Sequence, residues 1–120
     1  MAIKKILVVD DSATDLKNLE RIVSEAGYTV LTATSGKEAV AKSKSDRPDA
    51  VLLDIIMDDM NGFQACRTIT SDADTKDIPV VLVSSKGEKT DKVWGAENGA
   101  KGYITKPFTA QQVIDQLRAL

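Results

Sequence analysis

Two hydrophobic periods alternate along the chain. Ile3 to Val9 is a nearly continuous apolar run, the pattern of a strand buried on both faces. Past the pair Asp10-Asp11, apolar residues recur at helical spacing as Leu16, Leu19, Ile22, Val23 and Ala26. Ser12 predicts the cap of that helix, Asp15 is favourable to its positive end, and Gly27 ends it. Tyr28 to Ala33 reads as a second strand, and Ser35 with Glu38 predicts a capping box for a helix that stops before Pro48. Ala50 to Leu53 is a third strand, followed by a loop carrying Asp54 to Asn61. Gly62 opens a third helix with Phe63, Cys66 and Ile69 on one side. Pro79 starts a fourth strand, Val80 to Val83, at a place where a missing N–H is tolerated. A fourth helix covers Glu88 to Asn98 and stops at Gly99. Gly102 to Thr105 is a fifth strand, and Thr109 caps a last helix with Val113, Ile114 and Leu117 inward.

Five βα units in succession predict an α/β fold, a parallel sheet with helices on both faces joined by right-handed crossovers. Ligands of such sheets bind outside the carboxyl ends of the strands, where strand order reverses. Asp10, Asp11, Asp54, Ser84 and Lys106 are all predicted at that edge. An Asp-Asp pair alone reads equally well as a solvated turn. Three carboxylates and a lysine together read as a site for a divalent cation and a phosphoryl group. Mg²⁺ takes oxygen ligands and suits Asp10, Asp11 and Asp54, with Asp11 the better direct ligand and Asp10 acting directly or through water. Packed carboxylates repel, so ionising all three is costly until a cation neutralises them. Asp54 is the candidate nucleophile, able to form an aspartyl phosphate. Lys106 offers a compact positive charge to a phosphoryl oxygen, Ser84 a hydroxyl hydrogen bond, and Pro107 a constraint on the loop, for which a cis bond is one route.

Composition narrows the picture. At 120 residues, with 42% hydrophobic and 28% charged residues, the chain fits one soluble domain spanning 1–120. A net charge of −2 gives no broad attraction to nucleic acid or acidic lipid. Lys4-Lys5 before Ile6–Val9 mimics a signal peptide, but the apolar stretch is too short and ends in two aspartates, so a cytoplasmic location without membrane insertion is expected. Cys66 is the only cysteine and reads as a small hydrophobe on a helix, which leaves no intramolecular disulfide. Histidine is absent, so a phosphohistidine donor must come from another protein.

The set Asp10-Asp11, Asp54, Ser84, Tyr103 and Lys106-Pro107-Phe108 resembles the receiver domain of two-component response regulators, over essentially the whole chain. The resemblance implies a flavodoxin-like, doubly wound sheet of order 2-1-3-4-5 with five helices. It implies Asp54 as phosphoacceptor for a histidine kinase, Asp10 and Asp11 as acidic metal-site residues, and the Ile56 backbone carbonyl as a further Mg²⁺ ligand. Ser84 and Tyr103 are then a switch pair, the hydroxyl drawn toward phosphate and the ring turning inward behind it. The output surface would be the fourth helix, fifth strand and fifth helix, with Lys89, Lys92, Tyr103 and Gln112 as contacts. Such a protein catalyses only its own phosphotransfer and dephosphorylation, and is a monomer or weak dimer.

The stand-alone form looks like chemotaxis-type regulators. Thr90-Asp91-Lys92-Val93-Trp94-Gly95 with Tyr103-Ile104-Thr105-Lys106-Pro107 is more specifically similar to regulators of type IV pilus twitching motility. Where the family commonly has Met-Pro, Met57 is followed by Asp58 and Asp59, which implies a looser loop and extra negative charge near the metal. Ile56 and Lys86 occupy positions that tune dephosphorylation. Isoleucine cannot orient an attacking water, which implies a long-lived phosphate. Trp94 has two readings, buried packing at an edge or a partner anchor. Gly95 beside it marks close packing or flexibility, and Phe108 reads as core.

Competing readings are weaker. An aspartyl-phosphate phosphatase generally places a second acid two residues after its nucleophile, where this chain has Ile56. A GxxxxGK[ST] phosphate loop is missing, against a nucleotide enzyme. A flavodoxin-like electron carrier would hold an FMN phosphate poorly among three acids. A phosphate sink or a phosphorylation-independent adaptor stays open, the intact site favouring the former. No DNA-binding segment is evident, against direct transcriptional control.

Overall fold

Five short apolar segments pair as parallel strands: β1 (Lys5–Val9), β2 (Thr29–Ala33), β3 (Ala50–Asp54), β4 (Val80–Ser84) and β5 (Gly102–Thr105). The structure, a computed structural model, describes residues 3–57 and 59–120. Asp58, one of the two acids expected to load the loop after Asp54, lies outside the described residues. The strand order is β2-β1-β3-β4-β5, the doubly wound arrangement expected. Leu7 lies opposite Leu31 and Val51, Leu53 opposite Leu82, and Ser84 opposite Thr105.

The helices are α1 (Ala13–Glu25), α2 (Gly36–Ser45), α3 (Gly62–Ser71), α4 (Lys89–Glu97) and α5 (Ala110–Arg118). Because strand side chains alternate, the sheet feeds two cores. Ile6, Val8, Leu52, Val81 and Val83 pack with Leu19, Ile22 and Val23 of α1 and Val113 and Leu117 of α5. Leu7, Val9, Val51, Leu53 and Leu82 pack with Ala39 of α2 and Ala65, Cys66 and Ile69 of α3. Each fully buried Leu, Ile or Val contributes about 1.5–3 kcal/mol relative to exposure, so these layers dominate what holds the sheet edge in place. Phe108 packs against the α1/α5 core, as read.

Several local details differ from the sequence reading. The first strand begins at Lys5 rather than Ile3, since the Lys4 and Lys5 amides both donate to the Asp49 carboxylate at 2.9 Å. Ala26 is exposed as the end cap of α1, not part of its inner stripe. Ser35 caps α2, but Glu38 reaches past it to the Thr34 amide at 2.7 Å, so the reciprocal half of the predicted capping box is displaced by one residue. Gly27 and Gly99, at φ of 99° and 97°, end α1 and α4 as expected.

Helix α4 is the most lightly seated. Only Gly95 of it is buried, and a Cβ there would lie 2.9 Å from Leu82 Cδ1 and 3.4 Å from Tyr103 Cδ2. Gly95 therefore serves close packing. Trp94 is 50% exposed and meets Phe63 edge-on, with centroids 6.4 Å apart, which corrects the buried-packing reading of that residue. Among the described residues no helix is long and apolar enough to cross a membrane.

Candidate functional site

The fold carries the expected polar residues to one edge. Asp54 and Ser84 are the last residues of β3 and β4, and Asp10 and Lys106 directly follow β1 and β5. The Asp10 amide still donates to the Ala33 carbonyl, and the Lys106 amide to the Ser84 carbonyl at 2.8 Å, so the ladder itself fixes both side-chain origins. The Lys106–Pro107 peptide is cis. Gly62 lets α3 start against the phosphoacceptor strand: a Cβ there would fall 2.3 Å from the Asp54 carbonyl oxygen.

Asp10, Asp11 and Asp54 each present a carboxylate oxygen, all within 4.8 Å of one another. Asp10 is fully buried, Asp54 is 6% exposed and Asp11 is exposed. Hard oxygen donors at this spacing fit Mg²⁺. Both Asp10 oxygens are already engaged, Oδ1 by the Ser12 amide at 2.9 Å and Oδ2 by Lys106 Nζ at 3.0 Å, which leaves Asp11 the freer ligand. Lys106 Nζ also lies 3.6 Å from Asp54 Oδ2.

Burial first, then the neighbouring Asp10 charge, pushes the Asp54 carboxyl up to about 6, against the opposing pull of Lys106 and the Ile56 amide. Burial works against the Lys106 ammonium, yet hydrogen bonds to Asp15 and Asp10 and the Asp54 charge hold it above the usual lysine range. The Cys66 thiol is pushed up to about 12 by burial alone, in keeping with an inert core position.

Ser84 is fully buried, and its oxygen accepts from the Lys86 amide at 3.1 Å. The Tyr103 hydroxyl donates to the Lys86 carbonyl, so one residue of the β4–α4 loop joins both members of the expected switch pair. Burial, with the Asp91 charge behind it, raises the Tyr103 phenol. Of the expected output contacts, Lys92, Tyr103 and Gln112 line one groove of about 400 Å³ between α4 and α5, while Lys89 is exposed outside it. The Gln112 side chain is also spent locally, capping α5 through the Thr109 amide at 2.8 Å. The Ile56 side chain is 52% exposed beside the acids.

Sequence reasoning missed two acids. Asp15, taken as a helix-terminus charge, reaches Lys106 Nζ at 3.0 Å. Its position three residues after a cap hid that reach, because only the fold brings α1 beside the residue after β5. Asp59, taken as extra charge near the metal, instead accepts from the Gly36 and Lys37 amides at 3.0 Å each. These amides at the positive end of α2 hold its carboxyl below the usual range and tie down the loop that lacks proline. Asn61, a third local surprise, caps α3 by accepting from the Gln64 amide at 2.9 Å.

Comparison with known proteins agrees with this geometry. The model of the response regulator receiver domain matches residues 6–118. Protein PilH of Pseudomonas aeruginosa is 43% identical over 97% of this chain and 96% of its own length. The chain spans about half the length, or less, of several further curated relatives. Chemotaxis protein CheY4 of Vibrio cholerae superposes with a TM-score of 0.91 at 30% identity, covering 98% of each chain. The CheX-CheY-BeF3-Mg+2 complex of Borrelia burgdorferi gives 0.91 at 31% identity, covering 97% of this chain and 87% of that one. With the strand order, the acidic edge and a match of 113 residues in agreement, the chain belongs to the response regulator receiver domain family.

Proposed function

We propose that this receiver domain is a phosphate-operated switch that takes a phosphoryl group on Asp54 from the phosphohistidine of a sensor kinase. The observation that carries the reading is the meeting of Asp10, Asp11 and Asp54 within 4.8 Å, with Lys106 3.6 Å from Asp54, at the carboxyl edge of the sheet. An Asp54 oxygen attacks phosphorus as the phosphorus–nitrogen bond breaks, and the leaving imidazole takes its proton from solvent. Lys106 donates to one phosphoryl oxygen and the Ser84 hydroxyl to another. Asp10, Asp11, Asp54 and the Ile56 carbonyl would hold Mg²⁺, which would offset the charge of the carboxylates and phosphoryl oxygens. The Borrelia burgdorferi relative, held with BeF3 and Mg²⁺, supports that ligand chemistry.

Output follows from the groove of Lys92, Tyr103 and Gln112. Drawing Ser84 toward phosphate disturbs the Lys86 backbone, to which Tyr103 is also bonded, and so shifts the population of α4–β5–α5 surfaces that a partner recognises. Exposed Ile56 offers no group to orient an attacking water, which favours a long-lived phosphate. Similarity to PilH supports a role in control of type IV pilus motility. A radiolabelled, autophosphorylated histidine kinase mixed with the protein and Mg²⁺ should pass label to wild type and none to Asp54→Asn. Equal labelling of the variant, or transfer undiminished by EDTA, would contradict the reading.

A further inference from the structure

The lysine expected to meet a phosphoryl oxygen is held more closely by two other carboxylates than by Asp54. Its ammonium lies 3.0 Å from Asp10 Oδ2, 3.0 Å from Asp15 Oδ2 and 3.6 Å from Asp54 Oδ2. Asp10 belongs to the acidic edge already described. Asp15 does not: it approaches from the first turn of α1, its amide directed to Ser12 Oγ at 3.4 Å and its side chain 48% exposed. The pair borders a groove of about 350 Å³ lined also by Asn18, Ser85, Pro107 and Phe108, so it stands where the crevice opens to solvent.

We propose that Asp15 is a positioning residue that holds the Lys106 ammonium on the α1 side of the crevice, in competition with phosphoryl oxygens on Asp54. The inference rests on the receiver chemistry proposed above. An ammonium has three donors, and Asp10 and Asp15 occupy two of them at hydrogen-bond distance. One donor is left for a phosphoryl oxygen, but the ammonium stands 3.6 Å from Asp54 Oδ2, so closing on the Asp54 side means drawing away from the α1 carboxylate. Asp15 is the member that yields, because its half-exposed carboxylate regains water readily whereas Asp10 is sealed in the core. A phosphoryl group carries more charge than one solvated carboxylate and wins when present. Asp15 thus sets how much phosphodonor is needed, not whether the reaction occurs.

The test compares wild type, Asp15→Asn, Asp15→Glu and a charge control on the same helix, Glu20→Gln. Initial rates of phosphoryl uptake are followed by intact mass against acetyl phosphate concentration with Mg²⁺. Asp15→Asn should lower the half-saturating concentration roughly two- to fivefold, the scale of an exposed ion pair, with little change in maximal rate. Asp15→Glu should restore the wild-type value and Glu20→Gln should match it. A readout without turnover is the melting temperature titrated with beryllium fluoride and Mg²⁺, which should saturate at a correspondingly lower concentration in Asp15→Asn. No change or weaker uptake in Asp15→Asn, or an equal gain in Glu20→Gln, would overturn the proposal while leaving the receiver chemistry standing. A wild type that takes up no phosphoryl group would remove the proposed phosphoacceptor chemistry and this proposal with it.

Discussion

Asp54 is a carboxylate that its surroundings work against. Buried beside Asp10, it is pushed up to about 6, while its ordinary value in an unfolded chain is near 4. In metal-free protein the folded state therefore holds a proton that the unfolded state has lost between those values. Stability at this residue is present at low pH and declines as pH rises through about 6. Other carboxylates, such as Asp49 and Asp59, are shifted downward and act with the opposite sign, so the comparison must be with a variant. In EDTA, Asp54→Asn should match wild type near pH 4 and exceed it by about 1–2 kcal/mol at pH 7, a linkage value discounted for water in the crevice. Thermal melts across that range check it, and a difference that shrinks with rising pH would count against the assignment. The identities of the edge residues were legible in the sequence because strand ends can be counted. The partners of Asp15 and Asp59 were not, because each bridges elements far apart in sequence, from α1 to Lys106 and from the β3–α3 loop to α2.

At the scale of elements, short apolar strands and glycine stops were readable from period and punctuation alone. What escaped was how elements approach one another. Gly62 looked like a helix opener, yet it is also the point where α3 touches the Asp54 backbone, with only 2.3 Å available to a Cβ. Gly95 meets the movable end of Leu82 at 2.9 Å instead. Gly62→Ala should therefore cost about 3 kcal/mol or more and displace Asp54, whereas Gly95→Ala should cost about 1 kcal/mol as Leu82 shifts. Chemical denaturation of the two variants measures this, and a larger loss for Gly95→Ala would reverse the ranking. With Gly95 its one buried residue, α4 is the helix with the least packing to lose in a shift, as the proposed Ser84–Tyr103 switch would require.

At the scale of the molecule, two apolar cores fix a parallel sheet whose reversal of strand order places four acids and one lysine around a single crevice. Periodicity predicted the layers, and the resemblance supplied the strand order. The exposure of Trp94 could not be read from spacing, since whether α4 buries a given face depends on how α3 lies beside it. Under the proposed function this crevice serves to charge Asp54. Intact-mass measurement after incubation with acetyl phosphate decides this, on wild type and Asp54→Asn, with Mg²⁺ and with EDTA. A single phosphoryl adduct on wild type, dependent on Mg²⁺ and absent from the variant, is the predicted result. No adduct on a folded wild type, or an adduct that survives the substitution, would contradict it.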